Sequence, residues 1–213
     1  MVCNKVTELG MRKVGIEGID EFIWPKSDFN AFHWPLQDWI NDKRWFMQYV
    51  KNKNVVVQAG GCCGMYPRFY ANYFKTVYTF EPDQINYQCL VQNTSDSHNV
   101  HHRNCALGKE ERMIGMDAPT QPGEETNRGM FTVNEALSDI PMITIDSLQL
   151  EECDLIHFDL EGYETNALIG AAKTIDKFNP VIIVEKDSGA EFLQSIGYAL
   201  VKKTSMDSIF VRN

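Results

Sequence analysis

The chain has 213 residues, of which 44% are hydrophobic and 23% are charged. These proportions argue against a disordered or membrane-embedded class, and the length suits a single domain, residues 1–213, with a substantial core. The formal net charge of −9 argues against a dedicated nucleic-acid surface, because phosphate binding draws most of its affinity from clustered Lys and Arg. We therefore expect neither a nucleic-acid partner nor a membrane partner.

The cysteines and the N-terminus suggest a compartment. The six cysteines have a scattered spacing that forms neither a zinc signature nor a small disulfide framework, so we interpret them as reduced thiols. The first residues, MVCNKVTELGMRKVG, lack the apolar region of a secretory signal, and no apolar run approaches membrane-spanning length. The expected location is cytoplasmic.

Residues 1–53 form an aromatic-rich leader. Apolar residues from Leu36 to Val50 recur on one side of a helix, which predicts a helical second half. We expect this leader to pack on the edge of a sheet, and a direct role in closing a site is the alternative.

The core, residues 54–213, begins with a βαβ unit. Val55 to Val57 form a β-branched run typical of a strand covered on both faces, and glycines follow at once. A helix is expected from Pro67 to Phe74, because Pro is tolerated in a first turn. Thr76 to Phe80 then form a second strand, which Glu81 and Pro82 close.

Glu81 is the first candidate binding residue. An acid at the tip of the second strand, about 20 residues past a glycine turn, is where nucleoside-binding folds hold ribose hydroxyls. The glycines do not fit the dinucleotide fingerprint, since Cys62 and Met65 occupy the later positions counted from Gly60. A nucleoside cofactor without a pyrophosphate fits better, and S-adenosylmethionine is the commonest. An ordinary glycine turn in a parallel sheet is the alternative.

The rest of the chain continues the alternation of strands and helices. We predict helices over residues 83–93, 165–178 and 191–196, and strands over residues 100–107, 154–160 and 181–184. Regular order is also expected over residues 143–148. Residues 108–141 lose this pattern, and residues 117–129 have the composition of an exposed lid or substrate loop. Residues 198–202 and 208–212 are too close for a crossover helix, so they should pair antiparallel.

Several stretches resemble the FkbM family of S-adenosylmethionine-dependent methyltransferases. They are VVVQAGGCCGMYP, FEPD, NCALG, TIDSL and HFDLEGYETNALIGA followed by NPVIIVE, and they span roughly residues 54–186. The resemblance implies an α/β fold with the Rossmann-like, doubly wound sheet of class I methyltransferases. We expect that sheet to be mostly parallel, with an antiparallel C-terminal hairpin strand.

The resemblance also implies a set of site residues. The loop around the methionine half of the cofactor would be Gln58, Ala59, Gly60, Gly61 and Gly64. The remaining cofactor-binding residues would be Glu81 and Pro82 at the ribose, Asn104, Cys105 and Ala106 at the adenine, and Asp159 in the acidic fourth motif. Gln58 stands where the family usually has an acid, and its amide can still accept a hydrogen bond from the cofactor's ammonium but brings no charge.

Asp159 and Glu161 are the candidate catalytic residues. Asp159 lies at the carboxyl end of its strand, where ligands of open α/β sheets bind, and it is expected to position cofactor or acceptor. Glu161 is the better candidate for a base that deprotonates a hydroxyl acceptor. Either acid could instead cap the following helix. Tyr66 and Tyr163 are possible acceptor contacts.

The histidines are assigned no chemistry. His157 lies within a strand and is expected to pack. His101 and His102 are adjacent on a predicted strand and face opposite ways, so they cannot easily converge on a metal with His98 and Asp96. We expect no metal site.

The function expected from the sequence is methyl transfer from S-adenosylmethionine to an oxygen of a small molecule or sugar. One alternative is a module that binds the cofactor without turnover, which Gln58 and the lack of an unambiguous base suggest. Another is a different nucleoside-dependent enzyme on the same sheet, such as a nicotinamide oxidoreductase. The acceptor and the oligomeric state stay open.

Overall fold

A computed structural model describes residues 10–14, 21–28, 43–120, 127–204 and 206–212, and for residues 43–45 it describes the backbone alone. The strands are, in chain order, β1 (Met11–Val14), β2 (Phe22–Pro25), β3 (Val55–Ala59), β4 (Thr76–Phe80), β5 (Val100–Arg103), β6 (Ala106–Leu107), β7 (Arg112–Asp117), β8 (Thr132–Asn134), β9 (Ile140–Ile143), β10 (Leu155–Phe158), β11 (Val181–Glu185), β12 (Ala199–Lys203) and β13 (Asp207–Val211). The helices are α1 (Met65–Ala71), α2 (Gln84–Asn93), α3 (Glu164–Ile169), α4 (Ala172–Phe178) and α5 (Ala190–Ser195). Short 3₁₀ helices cover Lys43–Tyr49, Arg128–Met130 and Asp146–Leu148.

A seven-stranded sheet forms the centre of the fold, with the strand order β12-β13-β11-β10-β3-β4-β5. The five strands from β11 to β5 are parallel, and β13 and β12 add to the edge in antiparallel pairs. This arrangement confirms the expected α/β, Rossmann-like sheet with an antiparallel C-terminal hairpin. Because β10 lies beside β3, the acids that follow β10 come next to the glycine loop that follows β3.

Alternate residues of the central strands pack on opposite faces of the sheet. Val57, Ile156 and Ile182 belong to a buried cluster with residues of α3, α4 and α5. Val56 and Leu155 face the other way and pack with α1 and with Phe46 of the 3₁₀ helix Lys43–Tyr49. Since both faces are covered, these strands carry the nearly continuous apolar runs visible in the sequence.

A second sheet is formed by strands between Ala106 and Ile143, the region in which the sequence loses its regular pattern. Its strand order is β6-β9-β7-β8, with β6 and β9 parallel and the other pairs antiparallel. The prediction of one strand over residues 100–107 was wrong, because β5 stays in the main sheet whereas β6 pairs with β9 of the second sheet. Of the loop predicted over residues 117–129, residues 121–126 lie outside the described residues.

Residues 143–148 are ordered, as expected, and divide between a strand and a 3₁₀ helix. Ile143 ends β9, and Asp146 begins a 3₁₀ helix. The carboxylate of Asp146 accepts hydrogen bonds from the backbone N–H groups of Lys173 (3.0 Å) and Thr174 (2.8 Å). The stretch therefore turns in order to cap α4.

The single helix predicted over residues 165–178 is two helices, α3 and α4, with a break at Gly170. A Cβ at Gly170 would lie 1.9 Å from the carbonyl oxygen of Gly108, so the chain that joins β6 to β7 approaches the backbone at the break. Apolar residues recur at spacings of three and four on both sides of the break, because both helices pack on the same face of the sheet.

The leader is not purely helical. Among its described residues, β1 and β2 form an antiparallel hairpin that packs against α2 and the glycine loop. Residues 36–42 of the predicted leader helix lie outside the described residues, and its last part is the 3₁₀ helix Lys43–Tyr49. In the part of the chain that the structure describes, none of the helices has the length and hydropathy needed to cross a membrane.

Candidate active site

A cavity of about 620 Å³ lies at the carboxyl edge of the main sheet. Ala59, Glu81, Asp159 and Glu185 line it from the ends of four neighbouring strands, β3, β4, β10 and β11. Three strand spacings separate β4 from β11, so the two ends of the row are roughly 14 Å apart. We call them the Glu81 end and the Glu185 end. A small organic ligand fits a cavity of this size.

The glycine loop after β3 forms the floor between the two ends. Gly60 has a φ of 79°, and a Cβ there would lie 1.9 Å from the carbonyl oxygen of Asp159. The loop backbone therefore packs directly on the strand that carries the acids. Gly60 and Gly61 both line the cavity. Gly64 does not line it; with a φ of 88° it serves as the residue from which α1 begins.

Glu81 is buried at one end of the cavity. One of its carboxylate oxygens accepts a hydrogen bond from the N–H of Cys62 (2.6 Å), and the other accepts one from the N–H of Asp83 (2.8 Å). Burial raises the pKa of Glu81 to about 7. A carboxylate has about four lone-pair sites, so Glu81 keeps capacity to accept a hydrogen bond from a hydroxyl group in the cavity. Pro82, Cys105 and Ala106 line the cavity beside it.

Two of the residues expected to bind the cofactor support the site from outside the cavity lining. Gln58 is fully buried, its amide oxygen accepts from the hydroxyl of Thr79 (2.7 Å), and its amide N–H donates to the carbonyl of Gly60 (2.9 Å). Asn104 donates to the carbonyls of Glu81 (2.8 Å) and Pro82 (3.0 Å). Both amides hold backbone in place, and neither residue is part of the cavity lining.

Three carboxylates meet at the Glu185 end. Oxygen atoms of Asp159, Glu161 and Glu185 all lie within 4.8 Å of one another. Burial and the neighbouring carboxylates raise the pKa of Asp159 well above its usual range, and burial followed by repulsion from Glu185 raises the pKa of Glu161 to about 7. A bound cation or a hydrogen-bond donor would relieve this repulsion. Lys186 pairs with Glu185 at 2.5 Å.

Glu164 fixes the turn that presents Glu161. Its side chain is fully buried at the start of α3, and one carboxylate oxygen accepts from the N–H of Leu160 (2.8 Å) and, more weakly, from that of Gly162 (3.4 Å). The other oxygen accepts from the hydroxyl of Ser188. Glu161 and Gly162 both have left-handed backbone, with φ of 52° and 95°. Glu164 thus stabilises the turn that precedes α3, whereas Asp159 and Glu161 line the cavity.

The second sheet contributes another part of the cavity wall. Met116 of β7, Val133 of β8 and the segment Asn127–Phe131 line the cavity. Arg128 pairs with Asp83 at the start of α2 and lies over the ring of Phe131, at 4.8 Å from its centroid. Residues 127–129 of the predicted loop therefore contribute to the cavity wall.

The two candidate tyrosines both line the cavity. The hydroxyl of Tyr163 donates to Glu135 (2.7 Å). Tyr66 packs edge-on against His157, with ring centroids 4.7 Å apart. His157 is buried, and its Nδ1 is 2.7 Å from the hydroxyl of Tyr70 on the α1 face, as expected for a packing residue.

Sequence reasoning missed part of the lining. Glu185 is the last residue of β11, the strand next to β10. An acid at the carboxyl end of a predicted parallel strand was a signal that could have identified it as a lining residue. Trp24 of β2 and Met206, by contrast, reach the cavity from elements whose placement no local pattern gives. All five cysteines in the described residues are free thiols.

Comparison with known proteins identifies the family of this chain and structures with a similar fold. Residues 59–210 match the Methyltransferase FkbM domain family. No curated protein sequence gives a significant match. The solved structures described next share less than 25% sequence identity with this chain, so their similarity establishes the fold alone.

A methyltransferase FkbM from Methylobacillus flagellatus has a TM-score of 0.54 and 19% identity; the match covers 78% of this chain and 46%, less than half, of that one. A Streptococcus mutans protein described as a methyltransferase, solved in complex with SAH, has a TM-score of 0.51 and 12% identity, covering 84% and 98%. An rRNA methylase from Streptococcus thermophilus has a TM-score of 0.47 and 14% identity, covering 78% and 90%. The family match spans most of the sequence and includes the glycine loop, Glu81 and the acids after β10, so this chain belongs to the FkbM family of methyltransferases.

Proposed function

We propose that this protein uses S-adenosylmethionine to methylate a hydroxyl group of a small molecule or a sugar. The observation that carries the proposal is the cavity of this FkbM-family chain. At one end it has Glu81, an acid placed to accept hydrogen bonds from ribose hydroxyls, and at the other it has a cluster of carboxylates. Bound cofactor would supply an electrophilic methyl group on a sulfonium. The protein must then align the acceptor and take up its proton.

The residues present fit this cofactor. Gly60 and Gly61 line the cavity, and a Cβ on either would collide with protein atoms, the carbonyl oxygen of Asp159 (1.9 Å) for Gly60 and the Leu90 side chain (2.5 Å) for Gly61. The loop backbone can therefore pack in this position beside a ligand only with glycines there. Glu81 would accept hydrogen bonds from ribose hydroxyls. Cys105 and Ala106 offer a buried apolar surface for the adenine ring. The methionine half would then extend over Gly60 toward Asp159.

Asp159 and Glu161 would divide the remaining work. Asp159 lies against the glycine loop, where a carboxylate favours a positively charged ligand group and would hold the cofactor in line with the acceptor. Glu161 has a pKa of about 7, which suits a group that accepts a proton from a hydroxyl near neutral pH. Glu185 adds negative charge beside them and keeps Lys186 at the rim.

The charge of the Glu185 end favours a neutral acceptor over an anionic one. A phosphate or carboxylate placed there would lie beside three acidic side chains. Burial and mutual repulsion already raise the pKa values of Asp159 and Glu161, so a further negative charge is unfavourable. We therefore rank a hydroxylated small molecule or sugar above a nucleic acid, whose phosphates the net charge of −9 would also repel.

The cofactor assignment is tested by titration calorimetry on the Glu81→Ala variant. We expect wild type to bind S-adenosylmethionine and the variant to bind it at least tenfold more weakly, because an acceptor for ribose hydroxyls is lost. Glu152→Ala, which changes an exposed acid outside the cavity lining, is the control. Equal affinity in wild type and Glu81→Ala would sink the assignment.

Turnover is tested separately, because a module that binds the cofactor without catalysis would pass the calorimetric test. Wild type and Glu161→Gln are incubated with methyl-labelled S-adenosylmethionine and a panel of hydroxylated small molecules and sugars. We expect a labelled product that depends on Glu161. Label transfer only to RNA would instead move the acceptor to the nucleic-acid class.

A further inference from the structure

The N-terminal hairpin β1–β2 lies outside residues 59–210, which match the family, yet it contacts the glycine loop. Met11, Phe22 and Trp24 are buried in one cluster with Cys63 and Met65. Trp24 also lines the cavity. The hairpin thus packs against the glycine loop and contributes to the cavity lining.

One side chain joins the hairpin to the loop. Asn93, the last residue of α2, accepts a hydrogen bond from the N–H of Ile23 (2.7 Å) through its amide oxygen. Its amide nitrogen donates to the carbonyl of Ile23 (2.8 Å) and to the carbonyl of Cys63 (2.7 Å). A single amide therefore pairs with β2 as another strand would and at the same time holds the glycine loop.

The rest of the hairpin is held in the same place by α1. Arg68 of α1 donates to the carbonyl of Glu21 (3.0 Å), and its guanidinium lies 4.9 Å from the centroid of the Phe22 ring. The indole N–H of Trp24 donates to Asp28 (3.3 Å), which fixes the plane of the ring that reaches the cavity. The hairpin is thus anchored on both helices that flank the loop.

We propose that the hairpin β1–β2 is a working wall of the cofactor site and that Asn93 is the positioning residue that couples it to the glycine loop. The proposal rests on the proposed function for the identity of the ligand. A loop whose backbone must approach a ligand closely gains affinity from being held in the bound conformation beforehand. The hydrogen bond from the Asn93 amide to the carbonyl of Cys63 is the contact through which Asn93 holds the glycine loop.

Asn93→Asp is the sharpest test, because it keeps the size of the side chain and the oxygen that accepts from Ile23. It removes the N–H donor and places a carboxylate opposite the carbonyls of Ile23 and Cys63. We expect Asn93→Asp and Asn93→Ala to bind S-adenosylmethionine at least tenfold more weakly than wild type, as measured by calorimetry. Amide hydrogen exchange of residues 60–64 should speed up in both variants without ligand.

Asn99→Ala is the matched control. Asn99 is also half-buried, and its amide nitrogen donates to the carbonyls of Ala71 (2.9 Å) and Phe74 (2.8 Å), away from the cavity. Its loss should lower the melting temperature while leaving the affinity for S-adenosylmethionine and exchange in residues 60–64 unchanged. A purely structural role of Asn93 would give this same result, and such an outcome would overturn the proposal.

Trp24→Phe tests the hairpin without touching Asn93. It removes the indole N–H bond to Asp28 and part of the cavity wall, and we expect a several-fold loss of affinity with hydrogen exchange in residues 60–64 near the wild-type rate. Unchanged affinity would show that the hairpin is no part of the binding wall. If wild type itself fails to bind S-adenosylmethionine, the proposed function fails, and hydrogen exchange in the Asn93 variants still decides whether Asn93 holds the loop.

Discussion

Gln58 shows how one side chain can depart from a family pattern for a local reason. A glutamine at this position both accepts from the hydroxyl of Thr79 and donates to the carbonyl of Gly60. A carboxylate could accept from Thr79 but has no hydrogen to offer Gly60. The amide thus holds the start of the glycine loop, and the charge that the family pattern usually supplies here is absent.

This explanation predicts that Gln58→Glu is harmful. The variant would place a carboxylate against the carbonyl of Gly60 inside the core, and a lost hydrogen bond with an unpaired buried acceptor costs about 1–3 kcal/mol. We expect urea denaturation to give a correspondingly lower free energy of unfolding at pH 8. Gln58→Met, which fills similar space without a charge, should cost less, and the reverse order would contradict the explanation.

Glu161 carries a prediction about pH and stability. Its pKa in the folded protein is about 7, above its ordinary value of 4.5, so folding favours the protonated form. The resulting stabilisation is fully present below pH 4.5 and is lost as the pH rises through 7. Glu161→Gln lacks this titration, so its melting temperature relative to wild type should rise between pH 5.5 and pH 8. A constant difference in melting temperature between the two proteins across that pH range would show that Glu161 ionises normally.

At the scale of elements, the wrong predictions share a cause. The second sheet is built from short strands, β6 with two residues and β8 with three, whose partners are distant in sequence. Pairing between distant residues leaves no period in a local window. Likewise, the role of Asp146 in the stretch TIDSL depends on a distant partner, because its carboxylate caps α4.

The cap predicts a measurable cost. Asp146→Ala removes a carboxylate that accepts from the N–H groups of Lys173 and Thr174 and from the hydroxyl of Thr174 (2.8 Å). We expect the free energy of unfolding to fall by about 1–2 kcal/mol, the usual cost of losing a helix cap. Asp176→Ala changes an acid on the same helix whose side chain is 85% exposed, and it should have little effect. A comparable loss in both variants would show that the cap is not the source.

At the scale of the whole molecule, the site lies where the two sheets, the hairpin and the helices meet. Its lining comes from β2 near the N-terminus through Met206 near the C-terminus, and the main sheet joins these distant parts. A ligand that fills such a site binds the folded chain and not the unfolded one, and it should therefore stabilise the entire fold.

This linkage predicts a thermal shift. At a concentration of S-adenosylmethionine one hundred times the dissociation constant, the folded state gains about 2.7 kcal/mol, or roughly 5–10 °C in melting temperature for a chain of this size. Differential scanning calorimetry of the full chain measures it directly. The Glu81→Ala variant should show a much smaller shift at the same concentration, and an equal shift would point to binding elsewhere.

By itself, the sequence determined the order of the core elements and the acids at their ends. The apolar runs of β3, β4, β10 and β11 and the antiparallel end of the chain are local signals, because strands covered on both faces must be apolar along their whole length. The positions of Glu81, Asp159 and Glu161 followed from those strands, since the carboxyl ends of parallel strands meet at one edge.

Only the tertiary structure decided the second sheet, the hairpin β1–β2 and the distinction between residues that line the cavity and residues that support it. Gln58 and Asn104 stand in the binding motifs, yet their amides turn to backbone carbonyls. Glu185, Trp24 and Met206 reach the cavity through neighbours that are distant in sequence. Contacts of this kind depend on which elements become neighbours in space, and a local pattern of residue types carries no information about that choice.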